Sequence, residues 1–585
     1  MTELLVVLTI AFLLIAFITT IGPKLGIASP LLLVIAGVAA SYLPYFRDFH
    51  LEPELILQGV LPPLLYAAAV SMPAMNFRRE LGPISGLSVL LVIISTVGLG
   101  LFFMWTIPDL GFAWGAALGA VISPTDAVAT SIIKQTSVSK RVVAILEGES
   151  LLNDGSALVL LRTAIAATVA SFSFWGTLGS FLYSVVVAIA IGIAIGMLNL
   201  KVRRHVSDST VNTVISFTVP FLAAVPAEEL GASGLVAAVV AGLVTGYRQP
   251  RMLSPTNRLS DAQNWRTVEL VLESGVFLTM GLQIRLIIHS VEDDHQGVLH
   301  AVVLALIALA LTLLLRAAYV APLLAGLTHR AKRYARIQPR MEDMHEKFTT
   351  PEGKEEVLER MTERQRRQDE KRARRNKPEK PRRTRRNDPT EVRLERFTVR
   401  LRRQLADIDY FLNAPLGWRE GAVVVWAGMR GAVTVAAAQT LPDDAPYRSA
   451  LILIAYTVAA ASLLIQGGTI GPLLNKLTPT PSPEDLAEQQ AQEDAEVAKV
   501  HKLLRDAATS VPAPQLDDDT PRMEQFIASK QHRIDVIEAQ RNALLDARDD
   551  GLIDADILKE ELVGLDAGQI AMELRGGSRS VRSDG

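Results

Sequence analysis

Apolar residues fill this chain in runs of helical length, separated by short polar segments, about thirteen times. The runs lie near 3–21, 27–45, 53–75, 83–107, 111–133, 143–171, 177–200, 210–227, 231–247, 268–290, 297–327, 418–440 and 447–475. A helix rises about 1.5 Å per residue, so each run can cross roughly 30 Å of hydrocarbon. The pattern predicts an all-α polytopic membrane protein with about thirteen transmembrane helices. The first run follows Met1-Thr2-Glu3 with no basic residue ahead of it and no clear small-residue cleavage site, so it reads as a retained helix.

Charge in the loops sets an orientation. Alternate loops carry Lys24; Arg78 and Arg79; Lys134, Lys140 and Arg141; Lys201, Arg203 and Arg204; and Arg248, Arg251, Arg258 and Arg266. The loops between them are poor in base and often acidic, as in Glu292-Asp293-Asp294. Basic loops stay cytoplasmic. The expected topology has the N-terminus outside and the C-terminus inside, with residues 1–327 as spans one to eleven and 416–477 as spans twelve and thirteen.

Two polar pieces complete the division, both cytoplasmic on this topology. Residues 328–415 form an insert with 26 basic and 16 acidic residues. Its centre, with Lys371-Arg372-Ala373-Arg374-Arg375 and Arg382-Arg383-Thr384-Arg385-Arg386, reads as disordered or solvated helix. Near 391–412 the pattern changes: Leu394, Phe397, Leu401, Leu405 and Ile408 recur at helical spacing between arginines. Such a basic amphipathic helix suits an anionic lipid surface, or equally packs on a partner subunit or on the tail. Residues 478–585 form an acidic tail, with 23 acids and 12 bases from Pro481 onward. Helical patterns run over 484–508, 521–548 and near 555–574, with a turn at Asp549-Asp550-Gly551.

Composition narrows the function. The 585 residues are 49% hydrophobic and 6% aromatic, with a mean hydropathy of +0.27, and the 21% charged residues sit mainly in the two polar blocks. Absence of cysteine excludes disulfides, thiolate metal sites and cysteine nucleophiles. Secreted enzymes, nucleic-acid enzymes and soluble oxidoreductases fit poorly, and no phosphate loop, zinc motif or nucleophilic triad is readable. No catalytic residue and no cofactor is expected.

Ionisable groups inside spans are costly and so mark function. The fifth span contains Val121-Ile122-Ser123-Pro124-Thr125-Asp126-Ala127. Pro124 removes a helical hydrogen bond and favours mid-membrane unwinding, which would expose carbonyls beside the Asp126 carboxylate. Hard cations such as Na+ take several oxygen ligands. The sixth span opens Glu147-Gly148-Glu149-Ser150-Leu151-Leu152-Asn153-Asp154. Ser150 and Asp154, four apart, share one helical face, and Glu149 and Asn153 form the adjacent pair. Burial disfavours a charged carboxylate and a bound cation favours it, so one such group holds either a proton or a metal ion and the two compete. The twelfth span carries Trp426-Ala427-Gly428-Met429-Arg430-Gly431-Ala432-Val433-Thr434. Its glycines loosen the helix around Arg430, matching the break expected in the fifth span, and paired broken helices point to a transporter binding site. Arg430 stays cationic and needs an acidic partner; Glu149 is the choice, in a structural role. Arg162, Glu273 and Arg316 are assigned to internal ion pairs rather than to transport, and the Glu228-Glu229 pair to a solvated outer helix end.

At these residues the sequence resembles the cation:proton antiporter-1 family, bacterial relatives of the eukaryotic Na+/H+ exchangers. Leu61-Pro62-Pro63-Leu64-Leu65-Tyr66, Ser123-Pro124-Thr125-Asp126, Gly148-Glu149-Ser150-Leu151-Leu152-Asn153-Asp154 and Gly428-Met429-Arg430-Gly431-Ala432 carry the likeness, and Arg541–Leu574 also looks like the C-terminus of bacterial members. The resemblance implies a homodimer in which inverted repeats form a dimerisation domain and a mobile core, with two discontinuous helices crossing at the ion site in an elevator-type cycle. It implies Asp154 as ion and proton carrier, Asp126, Ser150 and the Thr125 carbonyl as further ligands of transported Na+, Asn153 as brace of the crossing, and Glu149 with Arg430 holding the core. An Asn-Asp pair implies electroneutral exchange. Two departures stand out: Ala67, Ala68 and Ala69 follow the Leu-Pro-Pro run where members often carry an acid, and the basic insert has no ordinary counterpart.

The expected function is therefore secondary active exchange of Na+, or of K+ or Li+, for H+ across a cytoplasmic membrane, serving pH and salt homeostasis. A K+-selective antiporter, a cation channel and a transporter-derived membrane sensor are the alternatives. Expected partners are a second copy of the chain and membrane lipid, anionic at the basic insert, with no nucleic acid.

Overall fold

The computed structural model describes residues 2–46, 51–126, 128–134, 136, 138–169, 174–294, 297–350, 353, 390–477, 483–514 and 521–577. The described residues are mostly helical, with no strand among them. The principal helices are α1 (Thr2–Ile21), α2 (Ser29–Ser41), α3 (Leu61–Ser71), α4 (Val92–Thr106), α5 (Gly111–Ile122), α6 (Val128–Ile133), α7 (Lys140–Val169), α8 (Phe174–Arg203), α9 (Ser209–Glu229), α10 (Gly234–Met252), α11 (Pro255–Leu282), α12 (Ile284–Asp293) and α13 (Val298–Thr349). They continue as α14 (Thr390–Asn413), α15 (Trp418–Trp426), α16 (Ala432–Gln439), α17 (Arg448–Ser462), α18 (Gly468–Leu477), α19 (Pro483–Thr509), α20 (Arg522–Asp550) and α21 (Ala555–Gly577). The apolar runs fall on these helices because hydrocarbon offers no water to backbone N–H and C=O groups, which must bond within the segment.

The chain divides into two compact units. The first comprises Met1–Leu323, Trp418–Glu488 and Asp566–Gly585. Among the described residues seven helices are long and apolar enough to cross a membrane, and three shorter apolar helices accompany them. Their outward faces stay apolar: Leu5, Ile10, Leu13 and Phe17 on α1, and Leu182, Val186 and Ile189 on α8, are all exposed. Such a surface fits lipid or another apolar protein face rather than water. Close helix packing uses small residues where backbones meet. At the α2–α11 crossing a Cβ on Gly37 would collide with the backbone of Leu278 and Gly281, and one on Gly281 with that of Val34 and Gly37.

Behind α3 lies an apolar cluster built from Tyr66, Ala188, Val219, Ala223, Ala237 and Trp265. The Trp265 indole donates to Ser216 at 2.9 Å, and the buried Arg203 lies 3.0 Å from Asp261 and donates to Asn212 at 2.8 Å. Two of the expected spans are interrupted. α5 ends at Ile122 and α6 begins at Val128, while α15 ends at Trp426 and α16 begins at Ala432. The breaks fall at Pro124 and at the Gly428–Gly431 stretch, as the local chemistry dictates.

The second unit comprises Leu324–Gly417 and Gln489–Leu565. Its core gathers Val500, Leu504, Leu544, Ala547, Ile553 and Leu558. Gly551, with φ of 75°, ends α20 in the left-handed conformation that favours glycine. On α14, Leu401 and Ile408 are buried, Arg403 donates to Asp550 of α20 at 3.0 Å, and Phe411 stacks on Tyr334 with ring centroids 5.9 Å apart. Thus part of this helix packs on the tail. The arginine-rich runs at 371–375 and 382–386 lie outside the described residues. α13, 52 residues long, carries the helix beyond the expected limit of the eleventh span at 327, well into the insert.

Candidate functional site

The two breaks in the first unit meet. The Asp126 N–H donates to the Met429 carbonyl at 2.7 Å, and Arg430 Nε donates to the Ile122 carbonyl at 3.2 Å. A helix leaves its last carbonyls without partners, and their dipoles attract a cation. Arg430 answers that need, since it also donates to the Gly428 carbonyl. Ser462 accepts from the Arg430 N–H at 3.0 Å, and Gln466 Nε2 donates to the Trp426 carbonyl at 2.8 Å. Gly431 has no room for a side chain, because a Cβ would overlap the Asp126 carboxylate.

Thr125, inside the first break, is clamped from α7. Its hydroxyl donates to Glu149 Oε1 at 2.9 Å, and Asn153 Nδ2 reaches its carbonyl at 2.9 Å and its hydroxyl at 2.7 Å. The four-residue spacing of Glu149 and Asn153 sets both on the face towards the break. Glu149 is paired with Arg316 of α13, by two hydrogen bonds of 2.5 and 2.8 Å, rather than with Arg430 as the sequence suggested. The reason is geometric. Arg430 is occupied by helix-end carbonyls, whereas Arg316, 1% exposed, lies where its planar fork matches the carboxylate. Arg316 Nε also donates to the Val424 carbonyl at 2.9 Å.

The next face of α7 opens on a cavity of about 430 Å³. Ser150 and Asp154 line it from α7, and Thr125 and Asp126 from the break. Asp154 is only 8% exposed, and its carboxylate makes no hydrogen bond or ion pair among the described residues. One wall is apolar, from Leu61, Leu64, Leu65 and Ala68. The arrangement can bind a small cation through carboxylate, hydroxyl and carbonyl oxygens, or hold a proton, but not accept both at one carboxylate.

Of the three ionisable residues assigned to ion pairs, Arg316 pairs as described, and Arg162 lies 3.6 Å from Glu228 at a largely exposed position. Glu273 differs. It makes no ion pair or hydrogen bond among the described residues, and with Glu269 it lines the same cavity as Asp154. Sequence reasoning passed over Glu269 altogether. The signal was the four-residue spacing of Glu269 and Glu273, which puts both on one face of α11. The cavity also reaches Lys134 and Glu147, which form an ion pair.

Comparison with known proteins agrees with this architecture. A sodium/hydrogen exchanger, transmembrane family matches residues 10–338 and 401–476. An uncharacterized Na(+)/H(+) exchanger of Mycobacterium tuberculosis is 26% identical over 95% of this chain and 93% of its own length. The sodium, potassium, lithium and rubidium/H(+) antiporter of Bacillus subtilis is 31% identical over 45% of this chain and 41% of its own. The low-affinity Na(+)/H(+) antiporter NhaS1 of Synechocystis is 31% identical over 53% and 58% respectively. The solved structure of the sodium proton antiporter MjNhaP1 from Methanocaldococcus jannaschii has the same fold, with a TM-score of 0.54 at 15% identity, covering 81% of this chain and 99% of that one. The matched segments hold Asp154 and both helix breaks, with Asp126 and Arg430 in them, and so this multi-pass membrane chain belongs to the sodium/hydrogen exchanger family, a family of cation/proton antiporters rather than enzymes.

Proposed function

We propose that this chain is a secondary active antiporter that exchanges Na+, and with it Li+ or K+, for H+ by competition at Asp154. The observation carrying this reading is a deeply buried, unpartnered Asp154 carboxylate in a cavity bounded by two interrupted helices. Asp154 takes the ion or the proton. Asp126, Ser150 and the Thr125 carbonyl complete the oxygen shell of the transported cation, which is cargo and not a resident cofactor. Asn153, Glu149 and Arg430 hold the crossing in shape, with Arg316 as the counter-ion of Glu149. An empty site with an ionised carboxylate is costly in an apolar interior. The loaded forms, with proton or with cation, cross more easily, which couples the two fluxes.

In this reading residues 1–327 and 416–477 carry transport, as inverted repeats divided into a dimerisation domain and an elevator-like core. The chain works as a homodimer in a cytoplasmic membrane, N-terminus outside and C-terminus inside, with one cation exchanged per proton. The 328–415 insert and the 478–585 tail regulate it, and the insert's basic residues meet anionic lipid. K+ as principal cargo is a second reading, favoured by the Bacillus subtilis relative, whose name includes potassium and rubidium.

The test is proton release from acid-loaded proteoliposomes on adding each alkali cation in turn. Na+-dependent release is expected from the wild type and none from Asp154→Asn purified as folded protein. Persistent exchange in that variant sinks the carrier assignment. Release by K+ at lower concentration than by Na+ selects the second reading.

A further inference from the structure

We propose that Glu273 is a cation-capturing carboxylate on the access side of the transport site, holding the ion between the Lys134–Glu147 end of the cavity and the Asp126–Asp154 end. The inference rests on the exchange reading above and deepens it. Four observations carry it. Glu273 lines the cavity that contains Asp154, although it stands on α11, which supplies none of the expected ligands. Its carboxylate has no hydrogen bond or ion pair among the described residues, unlike the buried Glu149 and Glu80, which hold Arg316 and Arg141. Its electrostatic neighbours are Asp126 and Glu269, while Glu269 in turn feels Lys134, Arg266 and Glu147. Lys134 is the open end of this series, with its side chain 55% exposed, and Asp154 the closed end at 8%.

Carboxylates thus lead inward along one cavity to a buried acid that itself lacks a partner. The facing wall is apolar at Leu61, Leu64, Leu65 and Ala68, and α3 brings to the cavity the Ser71 hydroxyl but no carboxylate. Among the described residues no three acidic or histidine side chains converge closely enough to share one ion. In this proposal Glu273 acts before the binding step at Asp154 and not within its coordination shell. In its ionised form a carboxylate in a cavity with low-dielectric walls raises the local concentration of cations and hastens their capture. Its loss should weaken apparent affinity and leave the coupled step intact.

The experiment titrates Na+ against proton release in proteoliposomes at constant ionic strength and pH, for wild type, Glu273→Gln, Glu273→Asp and Asp154→Asn, each checked for folding by size-exclusion chromatography. Glu273→Gln is expected to raise the apparent KM for Na+ roughly ten-fold, the scale of one lost charged contact, with maximal rate within about two-fold of wild type. Glu273→Asp should recover most of the affinity. If Asp154→Asn still exchanges, the assignment of Asp154 as carrier fails, and with it the site that Glu273 is proposed to feed. If Asp154→Asn is silent and Glu273→Gln keeps the wild-type KM, the exchange reading stands and the capture role is overturned. Loss of maximal rate at unchanged KM, or a Glu273→Gln protein that does not fold, would make Glu273 a structural residue and equally overturn it.

Discussion

At the scale of the residue, the buried Glu149–Arg316 pair and the lone Asp154 show two fates for charge in an apolar interior. A buried pair whose partner is removed leaves an uncompensated charge, at a cost of about 3–5 kcal/mol. Arg316→Met is therefore expected to lower the melting temperature in detergent sharply. Adding Glu149→Gln to it should recover much of the loss, since the stranded charge is then gone, and fluorescence-detected melting reads both. Asp154 has no such counter-ion, so its state follows what occupies it. Where proton and cation compete for one carboxylate, lowering pH raises the apparent KM for Na+, by up to about ten-fold per pH unit once the protonated form dominates. Maximal rate at saturating Na+ on the competing side should change far less. A KM independent of pH would contradict competition at a single group.

At the scale of the element, the interrupted helices matter more than the continuous ones. The break in the fifth span follows from Pro124 and was readable without a structure. So was the break at Gly428–Gly431, from glycines flanking a charge. Their mutual stitching, through Asp126 to Met429 and Arg430 to Ile122, is a tertiary outcome. It leaves Gly431 against the Asp126 carboxylate, so Gly431→Ala should displace that carboxylate and cut exchange by at least ten-fold while the protein still folds, measured as Na+-dependent proton release per mole of purified protein. α14 carries a parallel lesson. Its amphipathic pattern was plain, but pattern alone does not name the surface it covers, and Leu401 and Ile408 are buried within the second unit.

At the scale of the whole molecule, the second unit assembles segments far apart in sequence, from 324–417 and 489–565. Arg403 and Asp550 tie them, with side chains 40% and 19% exposed. A pair so exposed contributes roughly 0.2–1 kcal/mol. Arg403→Glu should therefore loosen the tail only modestly, and Arg403→Glu with Asp550→Arg should restore it, as followed by limited proteolysis of the tail helices at low and high salt. An equal effect at both salt concentrations would show that packing and not charge holds α14 to α20.

Local chemistry along the chain determined where helices run, where two of them break, and which residues of α7 share a face. Apolar length, proline and four-residue spacing act over a few turns and need no knowledge of the rest. Which charge meets which did not follow. Glu149 and Arg316 stand 167 residues apart, and their meeting depends on how α7 and α13 pack. Arg430 turns instead to the local Gly428 carbonyl and to the Ile122 carbonyl, which packing brings from 308 residues away. Glu273 joined the Asp154 cavity because α11 lies across it, a fact of packing that no pattern within α11 contains.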